Sequence, residues 1–165
     1  MNYEIIDNFL PRSQFKSLKL QIEGDSFPWN LIENRLDSKE NLKKYCTFKH
    51  TVYENNVPQS MLFSEIDCIL QRLEFRTLLS INAHLYPIGE SIIETPPIHE
   101  HMFPYLGMIY YFDNCDGYTI FDDNLKIESV ANRAFLYEMP PERIPLIESN
   151  CTDKIKKTNI TFTYF

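Results

Sequence analysis

The sequence predicts a mainly β domain in which two helices near the N-terminus pack against a β-sandwich or jelly roll. Helical periodicity is confined to the region before Ser80, and after it short strand-like segments are separated by Pro, Gly and Asn-Asp clusters at near-regular spacing. The chain has 10 Tyr and 12 Phe but only 4 Gly, a bias that favours strands over a glycine-rich nucleotide loop. Its 165 residues are the size of one domain, so we assign residues 1–165 to a single unit.

Two segments have the apolar spacing of helices. The first follows Pro11, places Phe15, Leu18 and Ile22 on one face, and ends before Gly24. The second runs from position 59 to position 78 and contains neither Gly nor Pro, so it is predicted to be the longest helix of the chain. Its apolar face consists of Leu62, Ile66, Ile69, Leu70 and Leu73. The polar stretch between the two helices, residues 25–44, predicts a loop.

Strands are predicted where apolar and polar residues alternate. Ile81, Ala83 and Leu85 alternate with Asn82, His84 and Tyr86, which predicts a strand with one apolar face and one polar face. The same reasoning predicts seven further strands, at Tyr3–Ile6, Thr47–Glu54, Gly107–Asp113, Tyr118–Phe121, Leu125–Val130, Arg133–Tyr137 and Ile155–Tyr164.

Charge and cysteine content exclude several classes of function. The chain has 16 basic and 23 acidic residues, a net charge of −7, which disfavours binding to duplex nucleic acid. No apolar run approaches the ~18–20 residues that span a bilayer, and the N-terminal residues MNYEIIDNF lack the basic region of a secretory signal. The four widely spaced cysteines predict reduced thiols and hence a cytoplasmic location; they are Cys46, Cys68, Cys115 and Cys151.

Residues 95–121, TPPIHEHMFPYLGMIYYFDNCDGYTIF, resemble the viral, phage-type branch of the iron(II)- and 2-oxoglutarate-dependent oxygenases. That family has an H-x-D ligand pair, a following IYY-type strand and an N-x-x-G-x-T-x-F turn and strand. The segments IIDNFL, TFKHTVYENN, INAHLYP, NRAFLYE and NCTDKIKKTNITFTY are similar to further parts of the family, so the resemblance covers nearly the whole chain. It implies a double-stranded β-helix, a jelly-roll-type barrel whose wide end holds the metal.

The resemblance also implies a metal site, and the residues at that site depart from the family pattern. Two histidines and one carboxylate would hold Fe(II), and the candidate ligands in the H-x-D region are His99, Glu100 and His101. Neither way of aligning them gives an intact H-x-D. The distal histidine position is matched by Arg143, and no histidine follows His101; a guanidinium is always protonated and cannot ligate a cation. Rearranged ligand sets that include His84, Glu142, Glu148 or Asp153 remain open.

The co-substrate residues that the resemblance implies are better preserved. Tyr86, Asn82 and Lys157 stand where family members bind 2-oxoglutarate, and Lys157 would share an inward face with Asn159 and Thr161. Lys157 can equally be a solvated lysine at a sheet edge. Glu138, Glu142 and Glu148 are most simply interpreted as a solvated acidic loop.

Two functions therefore remain. In one, the chain is an active 2-oxoglutarate-dependent dioxygenase, a hydroxylase with a rearranged site that uses Fe(II) and 2-oxoglutarate. In the other, it has no cofactor and is a non-catalytic binding or structural protein, associated with other phage proteins, with further copies of itself or with a virion. The eroded ligand set favours the second, and no catalytic residue is assigned.

Overall fold

The computed structural model describes residues 2–36, 43–95, 103–122, 125–140 and 144–165. Within these ranges eleven strands and three short helices follow one another along the chain. The strands are β1 (Tyr3–Ile6), β2 (Asn30–Leu36), β3 (Lys43–Glu54), β4 (Val57–Pro58), β5 (Leu78–Pro87), β6 (Tyr105–Tyr111), β7 (Tyr118–Phe121), β8 (Leu125–Glu128), β9 (Arg133–Met139), β10 (Leu146–Glu148) and β11 (Lys156–Tyr164). The helices are α1 (Arg12–Ile22), α2 (Leu62–Glu65) and α3 (Asp67–Leu70).

The strands form two antiparallel sheets. The large sheet has the order β1-β9-β6-β11-β5-β3-β2, with β4 paired to β3, and the small sheet has the order β10-β7-β8. Aromatic and aliphatic side chains of the two sheets pack together between them, including Ile109 and Phe135 of the large sheet and Phe121, Ile127 and Leu146 of the small sheet. The result is the two-sheet jelly-roll architecture that the sequence predicts.

The other face of the large sheet is covered by the helices. Met108, Tyr110, Ile160 and Phe162 of the sheet are buried there, against Leu18 and Ile22 of α1 and Ile66 and Ile69 of the second helical segment. This apolar layer and the layer between the two sheets are separate cores, because alternate residues of each strand point to opposite faces. Both faces of the central strands of the large sheet are therefore buried.

The long helix predicted at positions 59–78 is wrong. Two one-turn helices replace it, and the predicted apolar residues are nevertheless the buried ones, because each turn still directs them to the sheet. Several of the backbone bonds span three residues rather than four, such as Ile69 N to Ile66 O and Leu73 N to Leu70 O, which is the tighter 3₁₀ pattern. The helical segment ends because Arg76 and Thr77 donate their N–H groups to the Phe165 carbonyl.

Other predictions near the N-terminus agree more closely with the structure. The strand at Tyr3–Ile6 is confirmed, and α1 begins directly after Pro11 and ends at Ile22, as predicted. The loop predicted for residues 25–44 is wrong in part, because Asn30–Leu36 pairs with Lys43–Lys49 as an edge strand. Sheet pairing with β3 overrides the weak local signal of that polar stretch. Within the described ranges no helix has the length and apolar character needed to cross a membrane, and all four cysteines are free thiols.

Candidate functional site

The inner faces of β5 and β11 form the polar part of the space between the sheets. The two strands pair so that Lys157 lies opposite Tyr86 and Thr161 lies opposite Asn82. Lys157, Asn159 and Thr161 are all buried, as the predicted inward face requires, and so are Asn82 and Tyr86. The structure thus brings the three predicted co-substrate residues together.

Lys157 is the most unusual residue of this face, because its side chain is fully buried. Its ammonium group donates to the Glu148 Oε2 at 2.5 Å, to the Tyr118 carbonyl at 2.8 Å and to the Ser149 carbonyl at 2.9 Å. An ammonium has three N–H bonds, so the protein itself accepts all of them. The charge also lies 5.0 Å from the centre of the Tyr86 ring, within the range of a cation–π contact.

Gly117 makes room for this lysine. A Cβ at position 117 would lie 2.8 Å from the Lys157 Cδ and 2.6 Å from the Asn150 carbonyl oxygen. Both distances are shorter than real Cβ contacts allow, and the second involves backbone that cannot move aside cheaply. A glycine at this turn therefore lets the lysine stem reach the small sheet.

Glu148 completes the pair from β10, and its side chain is also fully buried. Its Oε1 accepts a hydrogen bond from the Thr119 hydroxyl at 2.7 Å, and its Oε2 accepts one from the Asn159 amide at 3.2 Å in addition to the lysine. The Thr119 hydroxyl is in turn 2.5 Å from the Tyr111 hydroxyl. Burial raises the pKa of Tyr111 well above its ordinary value, and the Glu148 charge raises it further. The phenol therefore stays protonated and supports the network as a hydrogen-bond donor.

The interpretation of Glu148 as part of a solvated acidic loop is wrong. Leu146 and Glu148 lie on the buried face of a short strand, with half-buried Ile147 between them. The strand is held on β7 through pairs such as Glu148 with Thr119. A buried carboxylate needs a cation and hydrogen-bond donors, and Lys157 and Thr119 supply both. The alternation of apolar Leu146 with Glu148 is the only sequence signal that could have placed this carboxylate inside.

His84 lies on the same face of β5 as Tyr86, next to the position that pairs with Lys157. Its Nε2 is 3.2 Å from the Thr161 hydroxyl, and its ring stacks on that of Tyr86 with the centroids 6.2 Å apart. Burial, together with the charges of Lys49 and Lys157, lowers the pKa of His84 to about 3. The imidazole is therefore neutral at physiological pH.

Two amide oxygens of this region have no partner within the part of the chain that the structure describes. They are Asn82 Oδ1 and Asn159 Oδ1, both buried. A cavity of about 280 Å³ is lined by Tyr86 of this face together with Ile93, Thr95 and Asn150, and Asn82 and Asn159 are not among its lining residues. Unpartnered acceptors need N–H or O–H donors, so this interior favours water or a ligand that donates hydrogen bonds.

The predicted metal ligands cannot be placed. His99, Glu100, His101, Glu142 and Arg143 lie outside the described residues. Among the residues that the structure does describe, no three His, Cys, Asp or Glu side chains are grouped so that they could hold a metal ion. The metal assignment therefore stays a prediction.

Solved structures with the same fold cover almost the entire chain, whereas no family model and no curated protein sequence matches it. A prolyl hydroxylase from Trichoplax adhaerens, in complex with a peptide of the hypoxia inducible factor oxygen degradation domain, aligns with a TM-score of 0.59 and 16% identity over 99% of this chain and 83% of that one. A viral collagen prolyl hydroxylase from Paramecium Bursaria Chlorella virus-1 aligns with a TM-score of 0.58 and 11% identity over 99% and 90%. A 2OG-Fe(II) oxygenase family oxidoreductase from Burkholderia pseudomallei aligns with a TM-score of 0.60 and 8% identity over 98% and 84%.

Identities this low establish the fold and nothing finer. The two facing sheets and the helices on the outer face of the large sheet give this chain the same double-stranded β-helix fold as these solved structures.

Proposed function

We propose that this chain is a non-catalytic binding or structural protein that uses the oxygenase fold without 2-oxoglutarate. The observation that carries the proposal is the buried pair of Lys157 and Glu148. Glu148 supplies from within the chain the carboxylate that a bound dicarboxylate would otherwise supply to the lysine. The residues present therefore do not fit the co-substrate.

The energetics support this interpretation. To reach the Lys157 ammonium, 2-oxoglutarate would have to displace at least one of its three protein acceptors, and the closest is a carboxylate. Breaking a buried ion pair costs about 3–5 kcal/mol when one partner is left uncompensated. A second carboxylate beside Glu148 would add repulsion between like charges. The unpartnered oxygens of Asn82 and Asn159 would give a dianion no donors in return.

The sequence at the predicted metal-ligand positions supports the same conclusion. No histidine follows His101, and Arg143 stands where the family resemblance places the distal histidine. A permanently protonated guanidinium at that position repels a cation. His99, Glu100 and His101 remain the candidate ligands of a rearranged site.

The experiment compares ligand binding in the wild type with binding in Glu148→Ala. Isothermal titration of the wild type with 2-oxoglutarate is expected to show no saturable binding, with or without Fe(II). Glu148→Ala removes the internal carboxylate, so this variant is expected to gain affinity for 2-oxoglutarate or acetate. Glu94→Ala, which removes a carboxylate that bonds the Tyr118 hydroxyl at the exposed side, is the matched control and should gain none. Tight wild-type binding would overturn the proposal.

The second candidate is an active hydroxylase with a rearranged metal site. It is favoured by the presence of Tyr86, Asn82 and Lys157 on one face and by a cavity of about 280 Å³ that Tyr86 lines. Bound iron in a one-to-one ratio, with conversion of 2-oxoglutarate to succinate that is lost in His99→Ala, would establish this function. Absence of iron binding at high Fe(II) would exclude it.

The non-catalytic role also includes a proposal about partners. We propose that the chain acts in the cytoplasm of a virus-infected host, through association with further copies of itself or with other viral proteins, in a virion or outside it, and without duplex nucleic acid. Exposed apolar side chains at both edges of the large sheet support this, namely Tyr3 and Ile5 on β1 and Leu31 on β2, since open sheet edges are templates for pairing with another chain. Sedimentation velocity tests the proposal: a concentration-dependent dimer that Ile5→Lys abolishes is expected, and a strict monomer with no virion association would contradict it.

A further inference from the structure

A second cavity lies on the opposite side of the large sheet from the Lys157–Glu148 pair. It has a volume of about 840 Å³, in the range of small-molecule sites, and is formed where four chain segments meet. These are the turn at residues 8–11, the first turns of α1, the residue Arg72 after α3, and the loop at Ala131 and Asn132. The function proposed above for the space between the two sheets does not involve this cavity.

Three cationic side chains line the cavity, and none of its lining residues is acidic. Arg12 and Lys16 come from one face of α1, four residues apart, and Arg72 comes from the other side. Within the described ranges none of the three forms an ion pair. Of the two acids that lie close to the lining residues in sequence, Asp7 is paired with Arg133 through two hydrogen bonds, whereas Asp67 accepts a hydrogen bond from the neutral amide of Gln71 and keeps its charge. In a chain of net charge −7, this is a local concentration of uncompensated positive charge.

The backbone adds to the same field. α1 has eleven residues, and its first N–H groups have no partner inside the helix. The N-cap is Pro11, which supplies no side-chain cap, and the first turn contains no acidic residue. The positive end of the helix dipole is therefore uncompensated beside Arg12 and Lys16.

Hydrogen bonds hold the part of the cavity wall that Asn132 and Leu10 form. Asn132 is buried, its Oδ1 accepts hydrogen bonds from the Leu10 N–H at 2.9 Å and from the Tyr110 hydroxyl at 2.6 Å, and its Nδ2 donates to the Leu10 carbonyl at 2.8 Å. The Arg72 guanidinium lies 5.9 Å from the centre of the Phe9 ring, at the outer limit of a cation–π contact. Arg12, Lys16 and Arg72 are exposed, so an anion would order these side chains against the fixed part of the wall.

We infer that this cavity binds the phosphate group of a small phosphorylated molecule. Arginine forks and helix N–H groups are the donors that phosphate oxygens prefer, and the exposed part of Phe15 offers apolar surface to the organic part of the ligand. The cations are gathered in one concave site rather than along a stripe, which fits a small ligand and not a nucleic-acid backbone.

The experiment measures binding of pyrophosphate and ATP to the intact chain by isothermal titration. Saturable binding that weakens with added salt is expected for both. Arg12→Gln with Lys16→Gln should weaken it by at least about tenfold, because each lost charge-assisted hydrogen bond is worth about a factor of ten. Lys126→Gln with Lys154→Gln removes the same charge at exposed positions elsewhere and should change the affinity less than about twofold. Equal losses in both double variants would overturn the inference, as would the absence of saturable binding in the wild type.

A second measurement does not depend on variants. In the amide spectrum of the wild type titrated with pyrophosphate, the largest shifts are expected at Arg12 to Lys16, at Arg72 and at Ala131 to Asn132. Shifts centred on Lys157 or Tyr86 instead would place the anion in the roll interior and overturn the inference. Vesicles with phosphorylated lipid headgroups are the third arm: binding to vesicles without binding to ATP would mean that the cavity does not accept soluble phosphates.

Discussion

The space between the two sheets has two halves of opposite character. Beneath β6 and β9 it is filled by aromatic and aliphatic side chains, among them Ile109, Phe121 and Phe135. Beneath β5 and β11 it is lined by Lys157, Glu148, Asn159, Thr161 and Asn82, which are equally buried. The same small sheet covers both halves, so the geometry of the strands does not explain why one half is apolar and the other polar.

The difference shows that the half beneath β6 and β9 is the one that folding by itself requires. Apolar packing stabilises a fold without directional demands, and the half beneath β6 and β9 meets that need. A buried ion pair that is hydrogen-bonded to four further groups, two acceptors and two donors, is costly to assemble and is weak evidence of stability. The need for a stable fold therefore does not by itself account for its presence in the second half.

The largest effect is expected when the polar half loses its carboxylate. Glu148→Ala leaves the Lys157 ammonium buried without its counter-charge, so the free energy of unfolding should fall by about 3–5 kcal/mol. Urea denaturation followed by circular dichroism measures the change. A loss below about 1 kcal/mol would mean that the lysine is easily hydrated and that the polar half is open to solvent.

Removing both charges should cost less than removing one. Glu148→Gln combined with Lys157→Met removes both charges and keeps a carbonyl oxygen as acceptor for the Thr119 hydroxyl, and we expect it to be more stable than Glu148→Ala by about 2 kcal/mol or more. The same denaturation experiment on the two variants gives the difference. If the double variant is the less stable of the two, the ion pair stabilises the fold in its own right, and the contrast between the halves is smaller than we argue.

Thr119 lies at the boundary, because its hydroxyl joins Glu148 to Tyr111. Thr119→Val preserves the shape but leaves the buried Tyr111 hydroxyl without an acceptor, which should cost about 2 kcal/mol. Ile109→Val is the control in the apolar half and should cost about 1 kcal/mol. Chemical denaturation of both variants measures the two losses in the free energy of unfolding. Equal losses would contradict the placement of Thr119 at a boundary between the halves.

The smallest effect is a dependence on pH. His84 has a folded-state pKa of about 3 against an ordinary value of 6.5, so the unfolded chain takes up a proton first as the pH falls. Its contribution to stability is complete above pH 6.5 and is lost as the pH falls towards 3; since the ring is only partly buried, we expect a loss of about 1–2 kcal/mol by about pH 4.5. The difference between wild type and His84→Gln in urea unfolding isolates this group from the carboxylates. If the unfolding free energies of the wild type and the variant change with pH in parallel, the histidine is solvated.

The same contrast explains what the sequence can predict. Alternation located eight of the eleven strands in the described ranges and the inward face of Lys157, Asn159 and Thr161, because burial on a pleated sheet imposes a period of two. The pattern at positions 59–78 identified the buried residues but not the helix, since 3₁₀ and α turns bury similar positions and the backbone pairing of Arg76 and Thr77 is non-local. Glu148 was missed because its partners, Lys157 and Thr119, are brought to it only by the fold. A charged residue is assigned to the surface unless its tertiary partner is known.

The position of β11 in the large sheet has a consequence for biosynthesis. This strand pairs with β5 on one side and with β6 on the other, yet it follows every other strand in the chain. Without β11, the strand groups β5-β3-β2 and β1-β9-β6 have no hydrogen-bonded connection within the large sheet. We therefore expect the pairing of β11 to join the two groups and to bring the Lys157 ammonium to Glu148, and a chain that lacks this pairing to present two open sheet edges to a chaperone or a neighbouring chain.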